Sequence, residues 1–512
     1  MDNEHENQIE LKGVPVSYWI ASTEDTNYPQ ADHDLEVDVA IIGGGITGLT
    51  TAYLLVKKNI RVAIIEANRI AKGVSGHTTA KITSQHSLIY DKMINTVGEE
   101  KARQYADANQ SAIDLVENII KENNIQCDFK RLPAYVYTQD EGYIQKLKDE
   151  VDAALKLGLP ATYTDRLQLP FKVHGAIRFS NQAQFHPRKY LLALAASVAA
   201  KGCLIFEQSR AVKFFEGELH TVVTDNGTKI RAKSVVLASH YPFYDLPGLY
   251  FSRIYPERSY LMGLRINGVF PEGMYITAED PTRSMRTCRD GDNELLIVGG
   301  EHHKTGHGTD LNEHYEALRS FAQQNFDVMD IPYRWSAQDY TAMDEIPITG
   351  HLTSGRNRIY LATGFAKWGM SNGTASAVII SDLILKGDSP WAPVYDPSRF
   401  TPIASAKNFV MENADVAKNY ISGKLNIPTQ TIEVAKGEAA ISETGGRKVG
   451  VYKDMDGNNH FVSTTCTHIG CELKWNSAEL SWDCPCHGSR FTYTGDIIEG
   501  PALECIKLME DL

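Results

Sequence analysis

The sequence contains no low-complexity tract, no internal repeat and no excess of positive charge. Its 51 Lys and Arg residues stand against 64 Asp and Glu residues, which gives a formal net charge of −13. A chain with this charge is a poor partner for nucleic acid or for an anionic membrane surface. We therefore expect no nucleic-acid partner.

Signals for export and for membrane insertion are also missing. Residues 1–13 are acidic and polar, without a basic region followed by an apolar run and without a twin arginine. One apolar stretch, residues 37–56, is long enough to mimic a membrane span, but it contains Asp38 and a cluster of glycines. That composition is typical of a strand, a turn and a helix. The sequence predicts a cytoplasmic protein with no integral membrane segment.

The chain length and the positions of the cysteines indicate how the protein is divided into domains and where a metal site lies. A chain of 512 residues is too long for one small core, so two or three domains are expected. Four of the eight cysteines crowd into the short segment 466–486. In a protein without an export signal, such crowding indicates a metal site rather than a disulfide scaffold.

A dinucleotide-binding fingerprint lies near the N-terminus. The apolar run 38–42 predicts a buried strand, and it leads through Gly43, Gly45 and Gly48 into a helical pattern. A second strand, 61–65, ends at Glu66. The three glycines allow a tight turn, a close approach of the pyrophosphate and close packing of the helix, and the acid would bind the ribose hydroxyls. The helix N-terminus attracts the phosphates.

Later segments favour a flavin over a nicotinamide. Residues 73–81 are small and polar, as expected of a loop around a pyrophosphate and ribityl chain. A further strand, 358–364, ends at a glycine and leads through 365–373 into another helix, and 232–239 predicts a third strand. A second helix N-terminus suits the pyrimidine edge of a flavin, where negative charge develops on reduction.

These features resemble the D-amino-acid oxidase superfamily over roughly residues 16–390. The resemblance is carried by VDVAIIGGGITGLTTAYLL, GVSGHTTAK, FHPRKYLLAL, KSVVLAS, ELLIVGGE, YTAMDEIPITG and IYLATGFAKWGMSNG. It implies FAD as the cofactor, held by Gly43, Gly45, Ile46, Thr47, Gly48, Glu66, Ser75, Gly76, His77, Thr78, Val212, Gly364, Gly369 and Met370.

The resemblance also implies two interleaved domains. A Rossmann-type α/β FAD part of about 36–88, 186–240 and 340–388 alternates with an α+β substrate part of about 89–185 and 241–339, whose mixed or antiparallel sheet roofs the flavin. Two departures stand out. His240 follows the third strand where the family usually has glycine. His77 stands where most relatives have arginine, and either tethers the flavin covalently or hydrogen-bonds near it.

The C-terminal cysteines form a second pattern with two histidines. It reads C-x-H and then C-x-x-H, with Cys466, His468, Cys484 and His487 as the candidate ligands. Two thiolates and two imidazoles are the ligand set of a Rieske [2Fe–2S] cluster. Zinc is the rival, because Cys2His2 also suits tetrahedral Zn²⁺. The spacing favours the cluster, because each loop supplies one cysteine and one histidine.

Residues 428–512 resemble Rieske domains of the cytochrome-bc type, which are all-β. The resemblance implies a disulfide between Cys471 and Cys486 that ties the two ligand loops together. It places Ser489 where that family has a hydroxyl donor to a cluster sulfur. The preceding segment, 391–427, begins with prolines and continues as an amphipathic helix, which we interpret as a connector after the oxidoreductase part, 1–390.

Candidate substrate contacts are fewer. Arg258, Tyr260 and Arg286 could clamp a substrate carboxylate, with structural pairing as the alternative for each. His302, His303 and His307 offer a metal-binding alternative, but a solvated loop near the cofactor is favoured.

Together these patterns predict an FAD-dependent dehydrogenase of a small amine, amino acid or N-methyl compound. Electrons would pass singly from the flavin through the cluster to an external acceptor, either a protein or a quinone. One alternative is a reductase fed by NAD(P)H, although only one dinucleotide fingerprint is present. Another is a redox sensor without turnover.

Overall fold

The computed structural model of the chain describes residues 16–308, 310–356, 358–399, 402–425, 434–444 and 447–507. Residues 1–13, on which the expectation about export depends, lie outside this range, as do 426–433 at the expected end of the connector. Within the described part, no helix is long and apolar enough to cross a membrane.

The first sheet has eight strands and is mainly parallel. Its strands are β1 (Leu35–Ile42), β2 (Val62–Ile65), β7 (Leu204–Phe206), β8 (Ala211–Phe215), β9 (His220–Thr224), β10 (Lys229–Leu237), β16 (Ile348–His351) and β17 (Ile359–Thr363). The order is β16-β17-β10-β1-β2-β7, and the five strands from β17 to β7 are parallel. Such strands are buried on both faces, which explains their continuous apolar runs.

The second sheet has nine strands and is mixed. Its strands are β3 (Lys81–Ile82), β4 (Lys130–Thr138), β5 (Ala161–Thr164), β6 (Gly175–Gln184), β11 (Ile254–Ile266), β12 (Met274–Thr277), β13 (Arg283–Asp290), β14 (Asn293–Lys304) and β15 (Val328–Ala342). The order is β15-β11-β14-β13-β12-β4-β6-β3. Only the pair β12 and β4 is parallel. Residues Lys81–Ile82 therefore pair in this sheet, although the sequence groups them with the FAD part.

The C-terminal part contains two small antiparallel sheets. One consists of β18 (Ala439–Thr444), β19 (Arg447–Lys453) and β20 (Asn459–Ser463). The other consists of β21 (Lys474–Asn476), β22 (Ser481–Asp483), β23 (Arg490–Thr492) and β24 (Ile497–Glu499). With the two larger sheets, this confirms the predicted fold class: an α/β part interleaved with an α+β part, followed by an all-β part.

Helices pack on the first sheet and on both faces of the second. They are α1 (Tyr18–Ala21), α2 (Ile46–Val56), α3 (Tyr90–Val97), α4 (Glu99–Glu122), α5 (Ile144–Lys156), α6 (Pro187–Ala200), α7 (Asn312–Asn325), α8 (Gly369–Lys386), α9 (Ala392–Tyr395) and α10 (Pro402–Leu425). The main core joins α2, α4, α6 and α8 to the parallel strands. Helix α7 packs on the second sheet through Tyr315 and Leu318.

Helix α10 contacts both the oxidoreductase part and the C-terminal part. Asn408 and Asn413 donate to the backbone oxygens of Met343 and Ser252 over 3.0 and 3.2 Å. Further along, Val416 packs against the core that contains the clustered cysteines.

Candidate redox site

The glycine turn between β1 and α2 leaves no room for side chains. Gly43 has φ of +110°, and a Cβ there would lie 2.5 Å from the carbonyl oxygen of Ala238. A Cβ on Gly48 would lie 2.0 Å from the carbonyl oxygen of Gly43. Helix α2 begins after Gly45 without a side-chain cap. The N-terminus of this helix fits a phosphate, because its first N–H groups have no acceptor within the helix.

Glu66 lies at the end of β2, beside this turn. Its carboxylate accepts the N–H groups of Gly44 and Asn68 over 2.7 and 2.8 Å. Burial raises the pKa of Glu66, and these two hydrogen bonds oppose the shift. The acid is therefore fixed next to the glycine turn, where a ribose acceptor is needed.

A second helix N-terminus lies close to the first. Gly364 has φ of +73°, and Ala366 and Lys367 follow with φ of 50° and 72° in the left-handed region. Helix α8 then begins at Gly369 without a side-chain cap. A Cβ on Gly373 would lie 2.8 Å from Thr47 Oγ1, so α8 closely approaches the first turn of α2. Met370 is buried in this turn.

The segment between β2 and β3 runs beside both helices. Ser75 Oγ accepts the N–H of Ile46 over 3.2 Å, and a Cβ on Gly76 would lie 2.4 Å from the Ala71 carbonyl oxygen. The carbonyl oxygens of His77 and Thr78 accept the indole N–H groups of Trp335 and Trp19 over 2.8 and 2.6 Å. These contacts fix the segment against the second sheet.

His77 itself keeps a neutral ring. Its Nδ1 lies 3.0 Å from the Gly73 carbonyl oxygen, and burial lowers its pKa. Donation from Nδ1 to that oxygen leaves Nε2 as the unprotonated nitrogen. Val212, by contrast, lies in β8 beside the irregularity between Ala211 and Lys213, and is half-buried.

Two cations, the buried Arg286 and the half-buried Lys81, lie on strands β13 and β3 of the second sheet. Arg286 is 1% exposed, donates to the Phe185 carbonyl oxygen over 3.3 Å and lies 5.0 Å from the ring of Trp19. Lys81 Nζ donates to Ser284 Oγ over 2.5 Å. Burial lowers the pKa of Arg286 to about 10 and that of Lys81 to about 7, and the nearby Arg286 adds to the second shift. Among the described residues, neither has an acidic partner.

The other two substrate candidates lie elsewhere. Arg258 forms contacts of 3.4 and 3.7 Å with the carboxylates of Glu479 and Glu499 in the C-terminal part. Tyr260, two residues after Arg258 on β11, packs in the hydrophobic core under α7. The structure thus does not bring Arg258 and Tyr260 together with Arg286.

The histidine-rich segment is also more ordered than the sequence indicates. His302 and His303 belong to β14, because the strand continues its pairing with β11 beyond the apolar run. The ring of His303 stacks on that of His314 with centroids 4.5 Å apart, and its Nε2 lies 3.0 Å from Tyr260 Oη. The prediction of a solvated loop is therefore wrong for His303.

The four expected cluster ligands converge from two loops of the C-terminal part. Cys466 and His468 lie between β20 and β21, and Cys484 and His487 lie between β22 and β23. The two imidazole centroids are 5.1 Å apart, with the rings nearly perpendicular. Both Nδ1 atoms are buried and lack a hydrogen-bond partner. Because orphaned buried nitrogens are costly, these atoms fit iron ligation.

The pKa shifts of His487 and Cys466 agree with a ligand role, whereas hydrogen bonding with Cys466 raises the pKa of Cys484, whose proton a bound metal would displace. Burial lowers the pKa of His487 to about 3, which keeps its ring neutral. Hydrogen bonding with Cys484 lowers the pKa of Cys466 to about 6, with a smaller contribution from Ser489 and against the effect of burial. Metal ligands must be neutral imidazoles and thiolates. The residues present therefore fit a [2Fe–2S] cluster.

A disulfide joins Cys471 and Cys486, one from each ligand loop. The Ser489 hydroxyl accepts the N–H of Ala502 over 3.0 Å. Its proton is thus free to point towards the thiolates. The pairing of cysteines is the one that the Rieske resemblance implies.

Comparison with known families agrees with this geometry. The family described as FAD dependent oxidoreductase matches residues 38–383, which is more than half of the chain. The chain belongs to this family. The Rieske [2Fe-2S] domain matches residues 427–510. The protein is thus an FAD-dependent oxidoreductase with a [2Fe–2S] cluster.

Individual relatives of the oxidoreductase cover it to different extents. "Putative Rieske 2Fe-2S iron-sulfur protein YhfW" of Bacillus subtilis is 41% identical and covers 98% of this chain and 99% of its own. "Gamma-glutamylputrescine oxidoreductase" of Escherichia coli is 23% identical over 73% of this chain and 89% of its own. Glycine oxidase from Geobacillus kaustophilus superposes with a TM-score of 0.61 at 17% identity, covering 71% of this chain and 99% of its own. The last comparison shows the fold alone.

The cluster face is turned towards the oxidoreductase part, residues 1–390. His487 is 2% exposed, and its ring lies 6.0 Å from that of Phe251. His468 Nε2 lies 3.7 Å from a carboxylate oxygen of Asp245. The side chains of Gln338 and Tyr340 bond to backbone oxygens of the second ligand loop. The two imidazoles therefore lie at an internal interface.

Several residues of this site escaped the sequence reasoning. Lys81 belongs to the polar segment 73–81, and Tyr340 belongs to the motif YTAMDEIPITG, so both lay within patterns already singled out. Trp19 precedes every motif and carried no signal.

Proposed function

We propose that the oxidoreductase is a dehydrogenase of a small amine, amino acid or N-methyl compound. Residues 1–390 hold FAD and substrate, 391–427 connect, and 428–512 hold the cluster through Cys466, His468, Cys484 and His487. FAD accepts a hydride and the cluster carries one electron at a time. The two electrons of the substrate leave singly to an external protein or quinone.

The observation that carries this proposal is the internal position of the cluster face. His487 is buried against the oxidoreductase part, and the loop that contains it is hydrogen-bonded to β15. Electron transfer requires close approach, and a face buried in this way lies against the part of the same chain that we expect to hold the flavin. This arrangement supports the flavin as the electron donor to the cluster.

The two unpaired cations support an anionic group on the substrate. Burying a charge without a partner is costly, so an anion beside the buried Arg286 and the half-buried Lys81 would compensate their charges. A guanidinium binds a carboxylate with two parallel hydrogen bonds. Relatives and neighbours carry names with an amino acid or an amine in them: glycine oxidase, L-proline dehydrogenase and gamma-glutamylputrescine oxidoreductase. Together these favour an amino acid or an N-alkyl amino acid.

An anaerobic reduction experiment tests the proposal. The holoenzyme is mixed with amino acids and N-methyl amino acids, with the matching amines that lack the carboxylate, and with NADH and NADPH. We expect a carboxylated compound to bleach the flavin first and the cluster second. Complete reduction should take about 1.5 equivalents of substrate, because FAD takes two electrons and the cluster one. Bleaching by NADPH but by no amine would overturn the proposal.

A further inference from the structure

The second ligand loop, residues 484–488, is held by the edge strand β15 of the second sheet. Gln338 Nε2 donates to the Gly488 carbonyl oxygen over 2.8 Å, and Tyr340 Oη donates to the His487 carbonyl oxygen over 3.0 Å. Gly488 has φ of +77°, and a Cβ there would lie 2.6 Å from Pro256. The loop therefore has little freedom to shift relative to β15.

Tyr340 also contacts the loop before α8, residues 364–368, where we expect the pyrimidine edge of the flavin. Its backbone oxygen accepts the N–H of Ala366 over 3.1 Å. The next residue, Thr341, forms a β-bridge with Phe365. The side chain of Tyr340 thus reaches the cluster loop, and its main chain reaches the flavin loop.

The space around the Tyr340 ring is filled. The ring is 1% exposed and lies 4.8 Å from His240 and 5.2 Å from Tyr241, measured between centroids. His240 adopts φ of +66°, and its carbonyl oxygen accepts the hydroxyl of Thr363 over 2.5 Å. Close packing of this kind restricts the position of the ring, and therefore of the hydroxyl that bonds to the cluster loop.

We propose that Tyr340 is a positioning residue for electron transfer from the flavin to the cluster, because it fixes loop 484–488 against loop 364–368. This inference rests on the proposed electron route. There the substrate loses a hydride from its C–H bond, its two electrons pass singly through the cluster to a one-electron acceptor, and the remaining proton goes to solvent.

The test compares Tyr340→Phe with Tyr315→Phe in the holoenzyme. Tyr315 is also buried, and its hydroxyl donates across the same interface to Glu479 over 2.9 Å, but it does not contact either loop. A laser flash on a deazaflavin delivers one electron without any substrate, and absorbance then follows the relaxation between flavin and cluster. Midpoint potentials of both groups and the EPR spectrum of the cluster are measured in parallel.

We expect relaxation in Tyr340→Phe to be slower by about tenfold, because small misplacements of reacting groups have large effects on rate. Relaxation in Tyr315→Phe and the potentials of both variants should match those of the unmodified protein. An unchanged rate in Tyr340→Phe overturns the inference. An equal slowing in both variants, or a shift in potential that accounts for the slowing, also overturns it.

A second variant covers the case in which Tyr340→Phe does not retain both cofactors. Gln338→Leu removes the other hydrogen bond to the same loop, and a wild-type relaxation rate in that variant overturns the inference. The proposed function fails separately, if no amine reduces the flavin while Tyr340→Phe still slows the flash-induced relaxation.

Discussion

At the residue scale, Lys81 is a group beside Arg286 whose charge changes near neutral pH. Burial lowers its pKa to about 7, so its ammonium is present below that pH and lost above it. A bound carboxylate favours the charged form and raises this pKa. The dissociation constant of a non-oxidisable carboxylate such as acetate should therefore rise above pH 7, by up to about tenfold per pH unit.

Two variants check the origin of this pH dependence through titrations of the flavin spectrum. Lys81→Met should bind acetate about 10- to 100-fold more weakly at pH 6, since a charge-assisted hydrogen bond is lost, and its binding should vary little with pH. Ser284→Ala removes the hydroxyl that accepts from Lys81 but leaves the charge, so the pH dependence should persist. Acetate binding that is equally pH-dependent in Lys81→Met would exclude Lys81 as the titrating group.

A second residue-scale prediction concerns the cluster ligands. Cys484→Ser removes one thiolate from a buried four-ligand set, so iron and labile sulfide should fall to near zero. FAD binding and reduction of the flavin by substrate should persist, since its contacts lie in another part of the chain. Chemical iron analysis and the flavin absorbance measure the two effects. Retention of two irons per chain would show that Cys484 is not a ligand.

At the scale of elements, the units with a local signal were predictable. The turn from β1 to α2 and the two ligand loops are each specified within a few residues, by glycine spacing and by ligand spacing. The direction in which a side chain points from a long strand was not predictable. Arg258 and Arg286 lie on two strands of one sheet. The sequence alone does not show which of the two side chains lies on the face towards the flavin.

The contacts between the oxidoreductase part and the C-terminal part were also not predictable from the sequence. The contacts of Tyr340 with His487 and of Arg258 with Glu479 each join residues more than 140 positions apart. No single motif contains both members of either pair, and each pair becomes recognisable only when the two parts are placed side by side.

The disulfide between the ligand loops gives the element-scale prediction. It closes a loop of 15 residues, for which chain-entropy arguments give about 3 kcal/mol of stabilisation. In the double variant Cys471→Ala/Cys486→Ala we expect iron to be released to a chelator faster on heating. The variant Cys505→Ala, which removes an exposed free thiol, is the control. Equal rates of iron release in the two variants would contradict a stabilising role for the bridge.

At the scale of the whole molecule, a buried ion network joins the two parts. Arg258 of β11 contacts Glu479 and Glu499, and Arg490 contacts the same two acids over 3.7 and 3.3 Å and Asp483 over 3.1 Å. Three acids thus share two buried guanidiniums at this interface. Removing one guanidinium leaves buried acids uncompensated, which is strongly destabilising.

We therefore expect Arg258→Met to lower the free energy of unfolding by about 3 kcal/mol and to increase hydrogen exchange in the second ligand loop. At a temperature where it stays folded, its KM for the carboxylated substrate should be unchanged, because Arg258 lies away from Arg286. The matched control is Arg265→Met on the same strand, whose ion pairs with Asp290 and Asp330 are partly exposed and worth about 1 kcal/mol or less. A large rise in KM without loss of stability would show that Arg258 contributes to substrate binding.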